Sequence, residues 1–396
     1  MRVLHVIPSV SPKRGGPSAA LPMLMRASAA ASLEVSVATT DDDGPEGRVD
    51  VAFDEPLQRD DGATYFYFPR QLMFYTVSWP LRSWLRRHVR EFDVVHVHAL
   101  FSFPSVAAAR AAADLGVPFV IRPLGVLNRW GMENRRRTVK RASFRRLELP
   151  LIRRAAAMHY TSEREKREAE AVDPLVAATR SAIIPLPIEQ PNSSGATVDA
   201  FHGRFNEANG AHVVLFLSRI DRKKGIELLL QAFADVHREF PRAVLVIAGS
   251  GEEGYVRELH AQADRLNLGS RVLWPGFVTG ADKEAAFAAA TLFVLPSYSE
   301  NFGIAAAEAL AAGVPVLLSD QVAVADDVVD AEAGVVVRCE AGAIAAALRE
   351  LLGDPELRAK VSLRGKALVE ERYSLITVGA QLKNLYESVV NLPRQS

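Results

Sequence analysis

Cysteine occurs once, at Cys339, and a single thiol excludes an intrachain disulfide and any thiolate cluster for zinc or iron–sulfur. A reducing compartment suits such a chain, so the cytoplasm is the expected location. Net charge is missing as well: Lys+Arg and Asp+Glu number 47 each, and nothing in that balance calls for a nucleic-acid partner. Long apolar runs are also absent. No stretch approaches the roughly 18 apolar residues of a membrane span. The opening "MRVLHVIPSVSPKRGG" is broken at Pro8 and Ser9 before it reaches the length of a signal-peptide core. There is no sequence repeat of fixed period.

What remains is a folded composition, 49% apolar and 24% charged, in a chain long enough for two cores of about 180 residues each. Short β-branched runs alternate with helical stretches: "RVLHVIP", "LEVSVAT", "DVVHVHA", "PFVIRP", "AAMHYTS" and "SAIIPLP", then "HVVLFLS", "RAVLVIAG", "RVLWPG", "TLFVLPS" and "VPVLLSD". Continuous rather than alternating apolar runs predict strands covered on both faces, hence α/β architecture with two Rossmann-like parallel sheets. Apolar periodicity fades in the Pro-, Asn-, Ser- and Gly-rich segment Pro187–His212, where the linker is expected. The expected organisation is a first domain at 1–190, a second at 191–372, and a final helix at 373–396. That helix, "SLITVGAQLKNLYESVV", gathers Leu375, Val378, Leu382, Leu385, Tyr386 and Val389 on one face and needs a surface to dock on. Doubly wound sheets bind ligands beyond the carboxyl ends of their strands, and two facing sheets would enclose a cleft.

Motifs fall at those strand ends. "FLSRIDRKKGIELLLQAF" sets Arg219, Lys224 and Gly225 between a strand and a helix start, chemistry suited to a diphosphate or equally to a solvated basic loop. "SPKRGGPSAALPML" puts Gly15 and Gly16 in the same place in the first half, as a ligand loop or a plain turn. "VIAGSGEEGYVRELH" offers Gly249 and Gly251 but no third glycine, so NAD is not inferred. In "PSYSENFGIAAAEALAAGVP" Glu300 lies at a strand end, Phe302, Gly303 and Ile304 present amides at a helix start, and Glu308 sits one turn farther along. A carboxylate packed among alanines needs a partner. Ligand hydroxyls are one candidate; the alternative is a solvent-facing Glu308, with Glu300 simply favoured by the helix dipole. His96 and His98 share a strand face, yet no third zinc ligand stands nearby in sequence, so no metal is expected. A histidine satisfied by backbone is the other reading of His98. "DDD" at Asp41–Asp43 reads as an acidic loop rather than a metal motif.

Taken together, these residues resemble glycosyltransferase family 4, retaining enzymes of the GT-B fold. Glu300 and Glu308 match its E-x7-E motif, Arg219 with Lys224–Gly225 its R-x4-K-G loop, and "GGPSAAL" its N-terminal glycine loop. The resemblance covers essentially the whole chain and is more specific in the second half. It implies two Rossmann-like domains about a central cleft, with the last helix crossing back to the first domain. It implies that Arg219 and Lys224 hold a nucleotide-sugar diphosphate, Glu308 the ribose hydroxyls and Glu300 the transferred sugar. Gly15, Gly16, Gly249, Asn301, Phe302, Gly303 and Ile304 would cradle the donor, and Phe277 and Val278 would meet the base. His98 would lie near the donor sugar and the acceptor hydroxyl. Transfer to a glycan or lipid-linked acceptor, with retention and without a metal cofactor, is the implied reaction, as in polysaccharide biosynthesis. One departure stands out: many family members carry His-Gly after the strand where this chain reads "VIRPLGVLNRW". Arg122 there is a candidate for a phosphate or carboxylate of the acceptor, or a neutraliser of cleft charge.

Two further readings concern partners. The arginine-rich strip Arg129–Arg154 and "WPLRSWLRRHVRE" suit peripheral association with an anionic membrane at its cytoplasmic face; a solvated face paired with "SEREKREAE" is the alternative. Rival functions are a GT-B epimerase, which would turn over without acceptor, and a noncatalytic nucleotide-sugar-binding module, which would need neither His98 nor Glu300.

Overall fold

A computed structural model describes residues 1–44, 47–53, 55–128, 132, 137–190, 201, 203, 205 and 208–391. The chain divides into two compact units, Met1–Pro187 with Tyr373–Ser396, and Ile188–Arg372.

The sheet of the first unit contains β1 (Arg2–Val6), β2 (Glu34–Thr40), β3 (Leu57–Gln58), β4 (Thr64–Phe68), β5 (Val94–His98), β6 (Phe119–Arg122), β7 (Ala157–Tyr160) and β8 (Ser181–Ile183), in the order β3-β4-β2-β1-β5-β6-β7-β8. Its ladders are parallel except that of β3 with β4. The second sheet is parallel throughout: β9 (His212–Leu217), β10 (Ala243–Ala248), β11 (Val272–Gly276), β12 (Ala290–Leu295), β13 (Val316–Ser319) and β14 (Gly334–Val337), in the order β11-β10-β9-β12-β13-β14. Both sheets wind outward in two directions from a central pair, β1 with β5 and β9 with β12. Such a pair is a topological switch point, where the connections after the two strands diverge and leave a crevice at their carboxyl ends.

Each strand run named above becomes a strand; β3, β4 and β14 are added by the structure. In β4, "TYFYF", aromatic side chains face both sides, with Tyr65 and Tyr67 buried on one and Phe68 on the other.

Two apolar layers cover the first sheet. One joins β4, β5 and β6 to the helices Trp79–His88, through Leu81 and Leu85, and Phe103–Leu115. The other joins β1, β2 and β4 to helix Gly16–Ala30, through Leu21 and Leu24, and to the last helix, Leu375–Val390, through Val378, Leu382, Leu385, Tyr386 and Val389. Ser374 caps that helix by accepting from the Thr377 amide. Gly379 lets its backbone meet helix Gly16–Ala30, because a Cβ there would overlap the Ala27 carbonyl oxygen. This is where the final helix docks. Among the described residues no helix is long and apolar enough to cross a membrane.

The basic strip packs differently from a membrane-lying helix. Residues 129–131 and 133–136 lie outside the described part. In the remainder, Phe144, Leu151 and Ile152 are buried in the core and Leu147 and Leu149 pack against it, so those apolar residues are already used. Nor does "SEREKREAE" merely balance charge: Glu165 is buried, accepting from the amides of Gly125 (2.6 Å) and Thr161 (2.7 Å).

Candidate active site

In the second unit the two sequence motifs meet at the switch point. The loop after β9 makes a turn at Arg222–Lys224 and enters helix Ile226–Val236; the loop after β12 enters helix Ile304–Ala312. Gly225, at φ 64°, is the left-handed residue between turn and helix, and a side chain there would overlap the Pro296 carbonyl oxygen. The Tyr298 amide donates to the Lys223 carbonyl (2.7 Å), and the buried Lys224 ammonium is ion-paired with Glu300. Cys339 donates its thiol to the Pro296 carbonyl (3.1 Å), and burial pushes that thiol up to about 11, so it packs rather than attacks. Arg219 projects from the same loop and is exposed.

Glu300 is held through its backbone: its amide donates to Gln321 (3.1 Å) and its carbonyl accepts from Ala323 (3.1 Å). Half-buried Asn301 and buried Phe302 follow. Gly303, at φ 96°, caps the helix that Ile304 begins, and its carbonyl accepts the Ala306 and Ala307 amides (2.9 and 3.0 Å). The first amides of that helix are oriented to receive an anion. Ala306, Ala307 and Ala309 are buried, while Glu308 is partly exposed and paired with Lys283 of helix Ala281–Ala289 (2.8 Å). A lysine 25 positions earlier is thus the partner that its packing demands, one the motif alone could not reveal. Both motif glutamates therefore rest on lysines.

Beside this pair lies a cavity of about 460 Å³ at the carboxyl ends of β9 to β11, lined by Ile220, Gly249, Gly251, His260, Trp274 and Gly276. The His260 ring lies 4.1 Å from that of Trp274, centroid to centroid. Gly249 donates its amide to Gly276 (2.8 Å), which ties two loops of the rim together. Val278 is buried beyond the rim and Phe277 is exposed.

The switch point of the first unit carries the other candidates. Gly15, at φ 97°, ends the turn Pro12–Arg14, and Gly16 begins the helix. The acidic triplet anchors this loop: Lys13 and Ser11 bond Asp43, while Arg14 and buried Arg70 grip buried Asp42. It works as a clasp, with its carboxylates occupied by arginine and lysine.

Next to the loop a polar layer is buried within the sheet. His5 on β1 is in register with His96 on β5, and His98 with Arg122 on β6. His159 on β7 and Tyr386 on the last helix close the group. Tyr386 Oη and His96 Nδ1 are 2.8 Å apart, His96 Nε2 and His159 Nδ1 3.2 Å, and His159 Nε2 and the Ile184 carbonyl 2.8 Å. One set of neutral tautomers satisfies that chain: the tyrosine donates to His96, His96 to His159, and His159 to the carbonyl. Burial, reinforced by the Arg122 charge, holds His5 and His159 down at about 3, and burial drives His96 and His98 well below the usual range; all four are neutral at pH 7. Sequence reading saw no third ligand for the His96–His98 pair; the sheet supplies His5, with nitrogens of all three within 4.8 Å of one another. His5, His159 and Tyr386 were missed because nothing but strand pairing and helix docking brings them together.

The family model for glycosyl transferases group 1 matches residues 198–368, and that for the glycosyl transferase 4-like domain matches residues 15–187. Phosphatidyl-myo-inositol mannosyltransferase of Mycolicibacterium smegmatis is 37% identical over 179 residues, 44% of this chain and 45% of that protein. Alpha-monoglucosyldiacylglycerol synthase of Streptococcus pneumoniae is 33% identical over 129 residues, 33% of this chain and 29% of that protein. The matches thus span about half or less of these relatives' lengths. Among solved structures, Anabaena HepE in complex with UDP is similar at a TM-score of 0.77 and 22% identity, covering 98% of this chain and 100% of that one.

Proposed function

Because the chain belongs to glycosyltransferase family 4 and has the GT-B fold, we propose that it transfers a sugar, with retention and without a metal cofactor, from a nucleotide-sugar donor to a hydroxyl of a glycan or lipid-linked acceptor. The observation that carries this is the clamp at the second switch point, where Lys224 is buried against Glu300 and the loops after β9 and β12 are hydrogen-bonded together. A buried lysine paired with a partly exposed carboxylate is a cation ready for exchange. An entering diphosphate would take Lys224, with Arg219 and the first amides of helix Ile304–Ala312, and release the Glu300 carboxylate to hold the sugar. Glu308 would exchange Lys283 for ribose hydroxyls in the same way. These groups offset charge as it develops on the departing diphosphate, which is why a metal is not invoked. The cavity beside Gly249 and Gly276 would take the base; in the first unit, His98 would orient an acceptor hydroxyl.

For the acceptor, the names of the two relatives point to lipids. A supporting feature is the exposed group Leu72, Met73, Phe74 and Trp79, each more than half exposed, at the start of a helix bearing Arg82, Arg86 and Arg87. Apolar residues beside cations suit the interface of an anionic membrane, and peripheral association at its cytoplasmic face belongs to the same proposal.

The test is a transfer assay with the full chain, a nucleotide-sugar panel, a membrane-lipid extract as acceptor source, and chelator present. Product with the donor's anomeric configuration is expected. Inversion, a need for added divalent metal, or donor turnover without acceptor would each replace this reading, the last with an epimerase.

A further inference from the structure

Arg122 is a buried cation left over by the fold. It ends β6, is 2% exposed, makes no ion pair among the described residues, and its Nε has no hydrogen-bond partner. The nearby acid is spent: Glu165 gives its oxygens to the Gly125 amide and to the amide and hydroxyl of Thr161. Glu165 is the one charged group acting on the guanidinium, from beyond ion-pair distance; the others around it are neutral, His98 in register on β5, His159 on β7, His5 on β1 and Tyr386 on the last helix. A buried charge with no partner is strongly unfavourable, and proteins neutralise such charges by pairing them. Two further buried nitrogens lack partners, His98 Nδ1 and His5 Nε2. His5 Nδ1 and His98 Nε2 are 2.8 Å apart. When His5 donates in that bond, His98 Nδ1 carries a proton and becomes a second unused donor beside Arg122. The backbone around both strand ends is unusual as well: Ala99, Phe101 and Leu124 have φ of 71°, 57° and 59°. Left-handed conformations at non-glycine residues are stored strain of the kind found at ligand sites.

We propose that this corner of the first sheet is an anion site, in which the Arg122 guanidinium and the His98 ring receive the oxygens of a phosphoryl or carboxylate group of a substrate. A cation is the wrong guest despite the three imidazoles. Both nitrogens of His96 are engaged by Tyr386 and His159, and a metal ion would add positive charge next to a guanidinium that has no ion pair. The word substrate rests on the glycosyltransferase reading; the anion site itself does not.

The experiment titrates inorganic phosphate into the full chain carrying Lys224→Ala, with and without Arg122→Gln, at constant ionic strength. Thermal stabilisation and the ring-nitrogen NMR shifts of His98 are followed. Without phosphate, Arg122→Gln should raise Tm, because it removes an unpaired buried charge. With phosphate, the Arg122 chain should be stabilised and its His98 resonances should move, while Arg122→Gln should bind roughly tenfold more weakly or worse. Equal stabilisation of both chains, or a His98 ring that does not respond, overturns the anion site. Repeating the titration on the Lys224 chain saturated with nucleotide diphosphate separates the sources. Loss of the phosphate response assigns the site to donor phosphate, and an additive response assigns it to an acidic acceptor. A nucleotide diphosphate that fails to stabilise even the unsubstituted chain strikes the glycosyltransferase reading alone, since the phosphate comparison at Arg122 stands without it.

Discussion

Lys224 and Glu300 are separated by 76 positions in the chain and share one ion pair in the fold. Each half was legible as a motif, a basic loop before one helix and a glutamate before another. What the sequence left open was the resting state: Glu300 is occupied by Lys224, and Glu308 by Lys283. That arrangement makes a specific prediction about Glu300→Gln. Removing the carboxylate frees Lys224 for phosphate, so nucleotide-diphosphate affinity should hold or rise several-fold by calorimetry. Sugar transfer should fall by about a hundredfold or more, the size expected for a group that acts mainly in the transition state. Equal loss of both would mean that Glu300 only supports the loop. Arg122 was legible as a departure from the family pattern but not as an unpartnered charge, because burial and the commitments of Glu165 are properties of packing.

Strands carry the next level. Apolar runs identified most of them, since a strand buried on both faces announces itself by composition. β4 was overlooked because "TYFYF" mixes aromatic and polar side chains, and β14 because its four residues begin with glycine. The histidine layer could not be seen at all. His5, His96, His98 and His159 come from β1, β5 and β7, and only the strand order sets them side by side. Their neutrality has a consequence for the first unit. Each imidazole is depressed in the folded state, so the unfolded chain binds protons first as pH falls. Stability is therefore complete above the unfolded value of 6.5 and declines toward the folded value of about 3. The slope is up to about 1.4 kcal/mol per pH unit for each such histidine. Urea midpoints measured from about pH 7 down to about pH 4 should fall steeply. A flat profile would show that these rings are charged or solvated.

At the scale of the whole molecule, two wound sheets with their motifs at strand ends were readable from spacing, because a switch point is fixed by topology rather than by side-chain detail. The surface was harder. The arginine strip looked amphipathic, but its apolar residues Phe144, Leu151 and Ile152 belong to the core. The exposed apolar group lies instead at Leu72–Phe74 and Trp79; the sequence signalled only Trp79, in "WPLRSWLRRHVRE". Vesicle sedimentation should show the full chain binding phosphatidylglycerol-containing membranes more tightly than neutral ones. Met73→Ser with Phe74→Ser should weaken that binding about tenfold while leaving nucleotide binding intact. Unaltered sedimentation would move the membrane contact elsewhere or dismiss it.

The central claim is that the loops joined by Lys224 and Glu300 hold the diphosphate of a nucleotide sugar. Calorimetric titration of UDP-, GDP- and ADP-sugars into the chain and into its Lys224→Ala variant tests it most directly. One donor should bind the unsubstituted chain, and the variant should lose roughly ten- to a hundredfold in affinity, the loss expected for one charge-assisted contact to phosphate. Binding of no donor, or equal binding by both chains, would contradict it.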